Sequence, residues 1–210
     1  MKITKAYRPG EMYSTNNGSL VIKSNSERMN FRWVKFIHTG FEREARVDHI
    51  KSGKVSDPFH ATVHGVGFLG DGPHKTKRKT TSGKWRPNKV YGLWVAMLQR
   101  CYANPVVGNT YNNATVHHNW HNFQTFAKDF ELLDGYTDWC NPDNDYQLDK
   151  DKYGEGGKLY SKETCCLIPH QENQMLKVSF NGCIKPRSKP FTNIGEPKCK
   201  FGITHKHQSC

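Results

Sequence analysis

The sequence predicts an α+β fold in two parts, a small SH3-like β-barrel followed by a domain built from packing helices and a β-hairpin backed by a helix. Three observations predict it. Residues 1–60 hold short apolar runs separated by turn residues, the apolar period becomes helical after Lys89, and Asp145 to Leu176 reads strand, loop, strand, helix. The corresponding division is a barrel over 1–60, a glycine-spaced connector and basic linker over 61–88, the hairpin domain over 89–180, and a basic C-terminal extension over 181–210.

In the first part, Ser19–Ile22, Phe31–Ile37 and Ala45–Ile50 are the expected strands, with Asn17-Gly18, Ser24–Ser26 and Thr39-Gly40 as the turns between them. A barrel this short has few interior positions, so Phe31, Trp33, Val34, Phe36 and Ile37 are expected in the core. Asp57-Pro58 closes the unit, and the glycines of Val63–Gly72 follow. No Lys-Ser/Thr stands in register behind those glycines, which excludes a phosphate-binding loop and leaves close chain packing as their purpose. His74–Lys89 is polar, basic and turn-rich, the pattern of a flexible arm that orders on a phosphate backbone.

Tyr91, Trp94, Val95, Leu98 and Tyr102 then fall on one stripe of a helix, a core face. Trp120, Phe123 and Phe126 recur every third residue and predict a second packing helix, with His117, His118 and His121 at its start. In the hairpin, Tyr146–Asp149 is the first strand, Gly154, Gly156 and Gly157 lie in the loop, Cys165–Ile168 is the second strand, and Pro169 opens the helix. The tail shows a short strand pair around Phe191–Ile194 and Lys200–Thr204.

Composition bounds the function. The chain has 210 residues, 35% of them hydrophobic, and a formal net charge of +12. No apolar run of membrane-spanning length and no signal-peptide pattern occurs, so a soluble protein made in a cytoplasm is expected. Seven cysteines without a C-x-x-C pair argue against a disulfide framework and a zinc ribbon, although Cys199, His205, His207 and Cys210 cluster at the end. Gly72–Lys89 carries seven Lys/Arg and no acid, and Lys177–Cys210 carries seven against Glu196 alone. Asp129–Glu155 holds nine of the nineteen acids. An acidic centre between basic arms suits a metal-dependent enzyme on a polyanion, the cation at the centre and the phosphate grip at the sides. Lys75, Lys77, Arg78, Lys79, Lys84 and Arg86 are the expected grip on double-stranded DNA.

Asp149 on the strand and Asn173 on the helix can each offer an oxygen to one hard cation, and Mg²⁺, or Mn²⁺ in its place, needs few protein ligands because it keeps several waters. This strand-loop-strand-helix layout resembles the ββα-metal (HNH) nuclease motif of phage-encoded homing-type endonucleases, in the variant whose Asp-His pair reads Leu-Asp-Lys or Leu-Asp-Arg. The segments GEMYSTNNGSLVIK, FIHTGFERE, IKSGKVSDP and VHGVGFLGDGPH resemble the N-terminal region of the same proteins. YGLWVAMLQRCY, Tyr111, VHHNW and FQTFA are similar to their helical pattern. The resemblance implies Mg²⁺-dependent hydrolysis of a DNA phosphodiester, in the cytoplasm of an infected bacterial host. It implies Asp149 and Asn173 as metal ligands, Lys150 in place of the base histidine, and Thr164 where many relatives have asparagine.

Lys150 is expected to steady the scissile phosphate, since a protonated amine is a poor base and a good anion partner. For the base, His118, His170 and no protein base at all stay open, with His118 favoured because Val116–Trp120 precedes an aromatic helix expected to pack against the hairpin and bring its start near the cation. A rival reading is a non-catalytic module that binds DNA or a host protein on the same fold, and a third is an RNA-binding protein using the aromatic face of the barrel.

Overall fold

The computed structural model describes residues 7–103, 114–154 and 157–181. The protein is mixed α+β and divides into two compact units, Met1–Lys128 and Asp129–Cys210. No described helix is long and apolar enough to cross a membrane.

The first unit begins with four antiparallel strands in sequential order, β1 (Met12–Thr15), β2 (Gly18–Asn25), β3 (Phe31–Phe36) and β4 (Glu42–Arg46). β1 turns into β2 at Asn16-Asn17, where Thr15 pairs with Gly18 and Thr15 Oγ1 donates to the Gly18 carbonyl over 2.7 Å. Strand alternation decides what is buried. Leu20 and Ile22 of β2, Val34 and Phe36 of β3, and Ala45 of β4 face one core together with Ile50 and Val55. Each large side chain there contributes about 1.5–3 kcal/mol of burial. The same alternation turns Trp33 and Ile37 outward, 43% and 54% exposed, so the expectation that all five apolar residues of Phe31–Ile37 line the core is corrected. A period of two allows only every second residue of a half-buried strand inside.

The strand expected over Ala45–Ile50 is also corrected. It ends at Arg46, and α1 (Val47–Lys51) follows, one short helix that buries Ile50; the turn behind it accepts Asn16 N–H on the Gly53 carbonyl at 3.1 Å. A helical turn thus stands where a fifth strand would run. Among the described residues no pairing joins β4 to β1, and the sheet is open rather than a closed barrel. Asp57 is buried but satisfied, accepting from Thr39 Oγ1 at 2.6 Å and from Phe59 N–H at 2.9 Å.

The connector glycines serve close packing. A Cβ on Gly67 would lie 2.4 Å from Leu98 Cδ1, and one on Gly70 would lie 2.1 Å from Asn122 Oδ1. The basic segment expected as a flexible linker is instead a hairpin of β5 (Lys77–Lys79) and β6 (Trp85–Pro87). Its loop closes through Thr80 N–H to Lys84 O at 2.8 Å, with Gly83 at a φ of +79° that favours glycine. An all-polar strand has no apolar alternation to announce it, and Ser82-Gly83 was the one local signal.

α2 (Lys89–Tyr102) is capped by Asn88, whose side chain accepts from Val90 N–H. It buries Trp94, Met97 and Leu98, and the Trp94 indole donates to the Trp120 carbonyl at 2.7 Å. β7 (Thr115–Val116), a 3-10 turn (His118–His121) and α3 (Phe123–Phe130) follow, with Trp120, Phe123, Phe126 and Phe130 buried.

The second unit holds α4 (Tyr136–Cys140), β8 (Tyr146–Asp149), β9 (Leu159–Tyr160), β10 (Cys166–Pro169) and α5 (His170–Asn181). β8 and β10 pair antiparallel, Asp149 opposite Cys166 and Gln147 opposite Ile168. Gly135, at a φ of +84°, lets the preceding turn lie on β10; a Cβ there would meet the Leu167 carbonyl at 2.0 Å. The strand pair expected over Phe191–Thr204 and the terminal Cys/His cluster lie outside the described residues.

Candidate metal centre

Cross-strand partners share a face of a sheet, and so do residues two apart on one strand. Gln147, Asp149, Cys166 and Ile168 therefore project from the same side of the β8–β10 ribbon. α5 covers that side, since Leu176 packs in one cluster with Cys166 and Ile168. Asn173 lies one helical turn before Leu176, and its Nδ2 donates to Gln147 Oε1 over 3.1 Å. Asp149 and Asn173 thus occupy one buried layer between ribbon and helix, 3% and 5% exposed.

Asp149 is held from one side. Its Oδ2 accepts the backbone N–H of Asp151 at 2.9 Å and of Lys152 at 2.7 Å, the turn that ends β8. Burial raises its pKa above the ordinary 3.8, the neighbouring Asp151 charge adds to the rise, and the two N–H donors and Lys150 act against it. An ionised carboxylate here is short of positive charge.

Asn173 is short of a donor. Its Oδ1 is buried and is the one such side-chain atom among the described residues with no hydrogen-bond partner. An orphaned buried oxygen costs about 1–3 kcal/mol. A divalent cation bearing water would satisfy both deficits at once, and one carboxylate, one amide oxygen and several waters is a set that Mg²⁺ accepts. Among the described residues no three His, Cys, Asp or Glu side chains gather as a metal-holding group, so the fit rests on the Asp149–Asn173 layer alone.

Gln147 was not legible as a site residue, yet it joins the layer to His170. Its Nε2 lies 2.9 Å from His170 Nδ1, while its Oε1 receives Asn173 Nδ2. Orienting Asn173 in this way leaves the amide oxygen free for a ligand. The signal was present as spacing: Gln147 precedes Asp149 by two on one strand. His170 Nε2 lies 2.8 Å from Gln174 Nε2, and Asp145 Oδ2 stands 3.2 Å from Nδ1.

Lys150 is 7% exposed; its ammonium is paired with Asp151 and sits 5.8 Å from the centre of the Tyr160 ring. Thr164 closes the turn before β10, donating to the Leu159 carbonyl at 2.8 Å and accepting from Ser161 N–H at 3.1 Å. The second unit therefore brings together Asp149, Asn173, His170 and Lys150. His118 belongs to the first unit, exposed on the 3-10 turn with its ring 4.3 Å from that of His117. No family model, curated protein or solved structure matches the chain. The thiols of Cys165 and Cys166 are pushed up to about 12 by burial, which makes them packing groups rather than nucleophiles.

In the first unit the β5–β6 hairpin is exposed along both strands. It gathers Lys77, Arg78, Lys79, Lys84 and Arg86, with Lys75 just before it, as a basic projection.

Proposed function

We propose that the protein is a metal-dependent DNA endonuclease of the phage HNH homing type, with a ββα-metal site formed by β8, β10 and α5 and an SH3-like sheet at its N-terminus. The observation that carries this reading is the orphaned Oδ1 of Asn173 in the same buried layer as the Asp149 carboxylate. Asp149 and Asn173 would hold Mg²⁺ or Mn²⁺. Bound there, the ion supplies Lewis-acid stabilisation of the charge that develops on a phosphodiester as a water attacks it. The chain's own residues do the rest. Asp149 is fixed by two backbone donors and Asn173 by Gln147, so the ligand atoms need little reorganisation. The basic hairpin holds the DNA backbone by charge.

The base divides between His118 and His170, and the hydrogen-bond chain from Asn173 through Gln147 favours His170, whose imidazole has a fixed orientation one link from the ligand. Lys150 offers a cation beside Asp149 for a phosphate oxygen when Asp151 releases it.

A second reading, a non-catalytic module binding DNA or a host protein, draws on Lys150 standing next to Asp149 with its charge already neutralised. Incubating plasmid with the protein and Mg²⁺, Mn²⁺ or EDTA separates the two. Cleavage with metal and none with EDTA is expected of the nuclease; intact plasmid under every metal leaves the binding module.

A further inference from the structure

The β5–β6 hairpin carries more information than its charge. Its register places Arg78 directly opposite Arg86 on one face, and Lys79 opposite Trp85 and Lys77 opposite Pro87 on the other. Like charges facing each other across two strands weaken a hairpin, and a lone two-stranded ribbon is marginal in water even without them. Among the described residues no carboxylate pairs with any basic side chain of this hairpin. Both strands are exposed throughout, and Trp85 is 66% exposed. The base, by contrast, is anchored. Thr76 O accepts Asn88 N–H at 2.9 Å, Asn88 caps α2, and Gln124 both accepts from His74 N–H at 2.9 Å and donates to the His74 carbonyl at 3.0 Å. A rigidly rooted, unshielded ribbon with a facing arginine pair is built to meet an anion outside this chain.

Resting on the DNA-directed reading above, we infer that this hairpin docks as a two-stranded ribbon in the major groove of duplex DNA, Arg78 and Arg86 towards the base edges and the lysines towards the phosphates. The groove, about 12 Å wide, admits a two-stranded ribbon, and arginine pairs in bidentate fashion with guanine O6 and N7. The deep groove of duplex RNA is too narrow for side-chain readout. Single strands are bound on platforms of several aromatic residues, and the ribbon offers Trp85 alone.

The test uses the full chain in EDTA, so that cleavage plays no part, with a randomised duplex pool and its denatured single strands as probes. Duplex is expected to be retained over single strand, and methylation of guanine N7 in the recovered sites is expected to weaken binding about tenfold or more. The variant Arg78→Lys/Arg86→Lys keeps the charge and removes the bidentate fork. It is expected to keep the wild-type salt slope while losing site selection and the methylation effect. Lys77→Ala/Lys79→Ala is expected to lower the slope of log K against log salt by about 2 and to leave the preferred sites unchanged. Methylation without effect on the wild type, single strands outcompeting duplex, or unchanged site selection in Arg78→Lys/Arg86→Lys would each overturn the inference. Absence of cleavage with any metal would remove the endonuclease reading and leave these binding results standing.

Discussion

Replacing Asn173 by alanine should reverse its effect on stability according to whether a divalent cation is present. In metal-free protein the substitution removes the Nδ2 bond to Gln147, about 1 kcal/mol, and relieves the orphaned Oδ1, about 1–3 kcal/mol. Alanine adds about 0.5 kcal/mol of helix propensity in α5, and the small void left behind costs roughly 1 kcal/mol. The variant should therefore fall between about −0.5 and +1.5 kcal/mol relative to wild type in EDTA, where removing a fully satisfied buried amide would cost about 2–3 kcal/mol. At a Mg²⁺ concentration of about 100 times Kd, binding stabilises wild type by about 2.7 kcal/mol, and a tenfold weaker variant gains about 1.4 kcal/mol. Differential scanning calorimetry in EDTA and in Mg²⁺ reads the difference, about 1.3 kcal/mol, as a gap of about 5–10 °C in metal-induced Tm shift where the unit Asp129–Cys210 unfolds by itself, and about 3–5 °C where the whole chain unfolds together. A variant that loses about 3 kcal/mol in EDTA and gains as much from Mg²⁺ as wild type would refute the reasoning.

The remaining predictions concern the neighbours of that atom. Asp149→Ala should abolish plasmid cleavage with DNA affinity near wild type, since phosphate contacts supply binding and the ion supplies chemistry; cleavage at the wild-type rate would reject Asp149 as a ligand. The raised pKa of Asp149 means that the folded protein holds that proton more tightly than the unfolded chain. Its contribution to metal-free stability is therefore full below the ordinary 3.8 and is lost as pH rises towards the raised folded value. Urea midpoints of wild type relative to Asp149→Asn should fall across that window and stay level above it; a flat difference would contradict the shift. Gln147→Ala should weaken Mg²⁺ binding about tenfold or more by freeing the Asn173 amide to turn, measured by calorimetric titration, and unchanged affinity would remove its orienting role. His170→Ala should lower cleavage about a hundredfold and flatten the acid limb of the pH profile, with His118→Ala near wild type; the opposite ranking would move the base to His118.

Much of the second unit was legible because its signals are local. Tyr146–Asp149 reads as a short alternating run and Cys165–Ile168 as an apolar one, with a glycine-containing loop between them; the second strand runs one residue further than expected, through Pro169, and α5 starts at His170 and carries Asn173 and Leu176 on one stripe. The aromatic stripe of α2 was equally plain, since Trp94 and Leu98 are both large and helically spaced. The misreadings came from residues whose fate depends on partners distant in sequence. Val47–Ile50 looks like a strand by composition, yet it coils into α1 because Ile50 completes the core of Leu20, Val34 and Phe36. The basic hairpin lacks any apolar pattern, and its register appears only when Arg78 meets Arg86. Gln147 acquires meaning from two partners on α5, 23 and 26 residues later in the chain, which no local window contains.

In the proposed nuclease the layer between β8 and α5 holds one divalent cation on Asp149 and Asn173. Soaking crystals of the protein in Mn²⁺ and collecting at the manganese absorption edge tests it most directly. A single anomalous peak is expected at ligand distance, about 2.0–2.3 Å, from an Asp149 carboxylate oxygen and from Asn173 Oδ1, with water completing the shell. Strong anomalous density elsewhere on the chain, with none between Asp149 and Asn173, would contradict it.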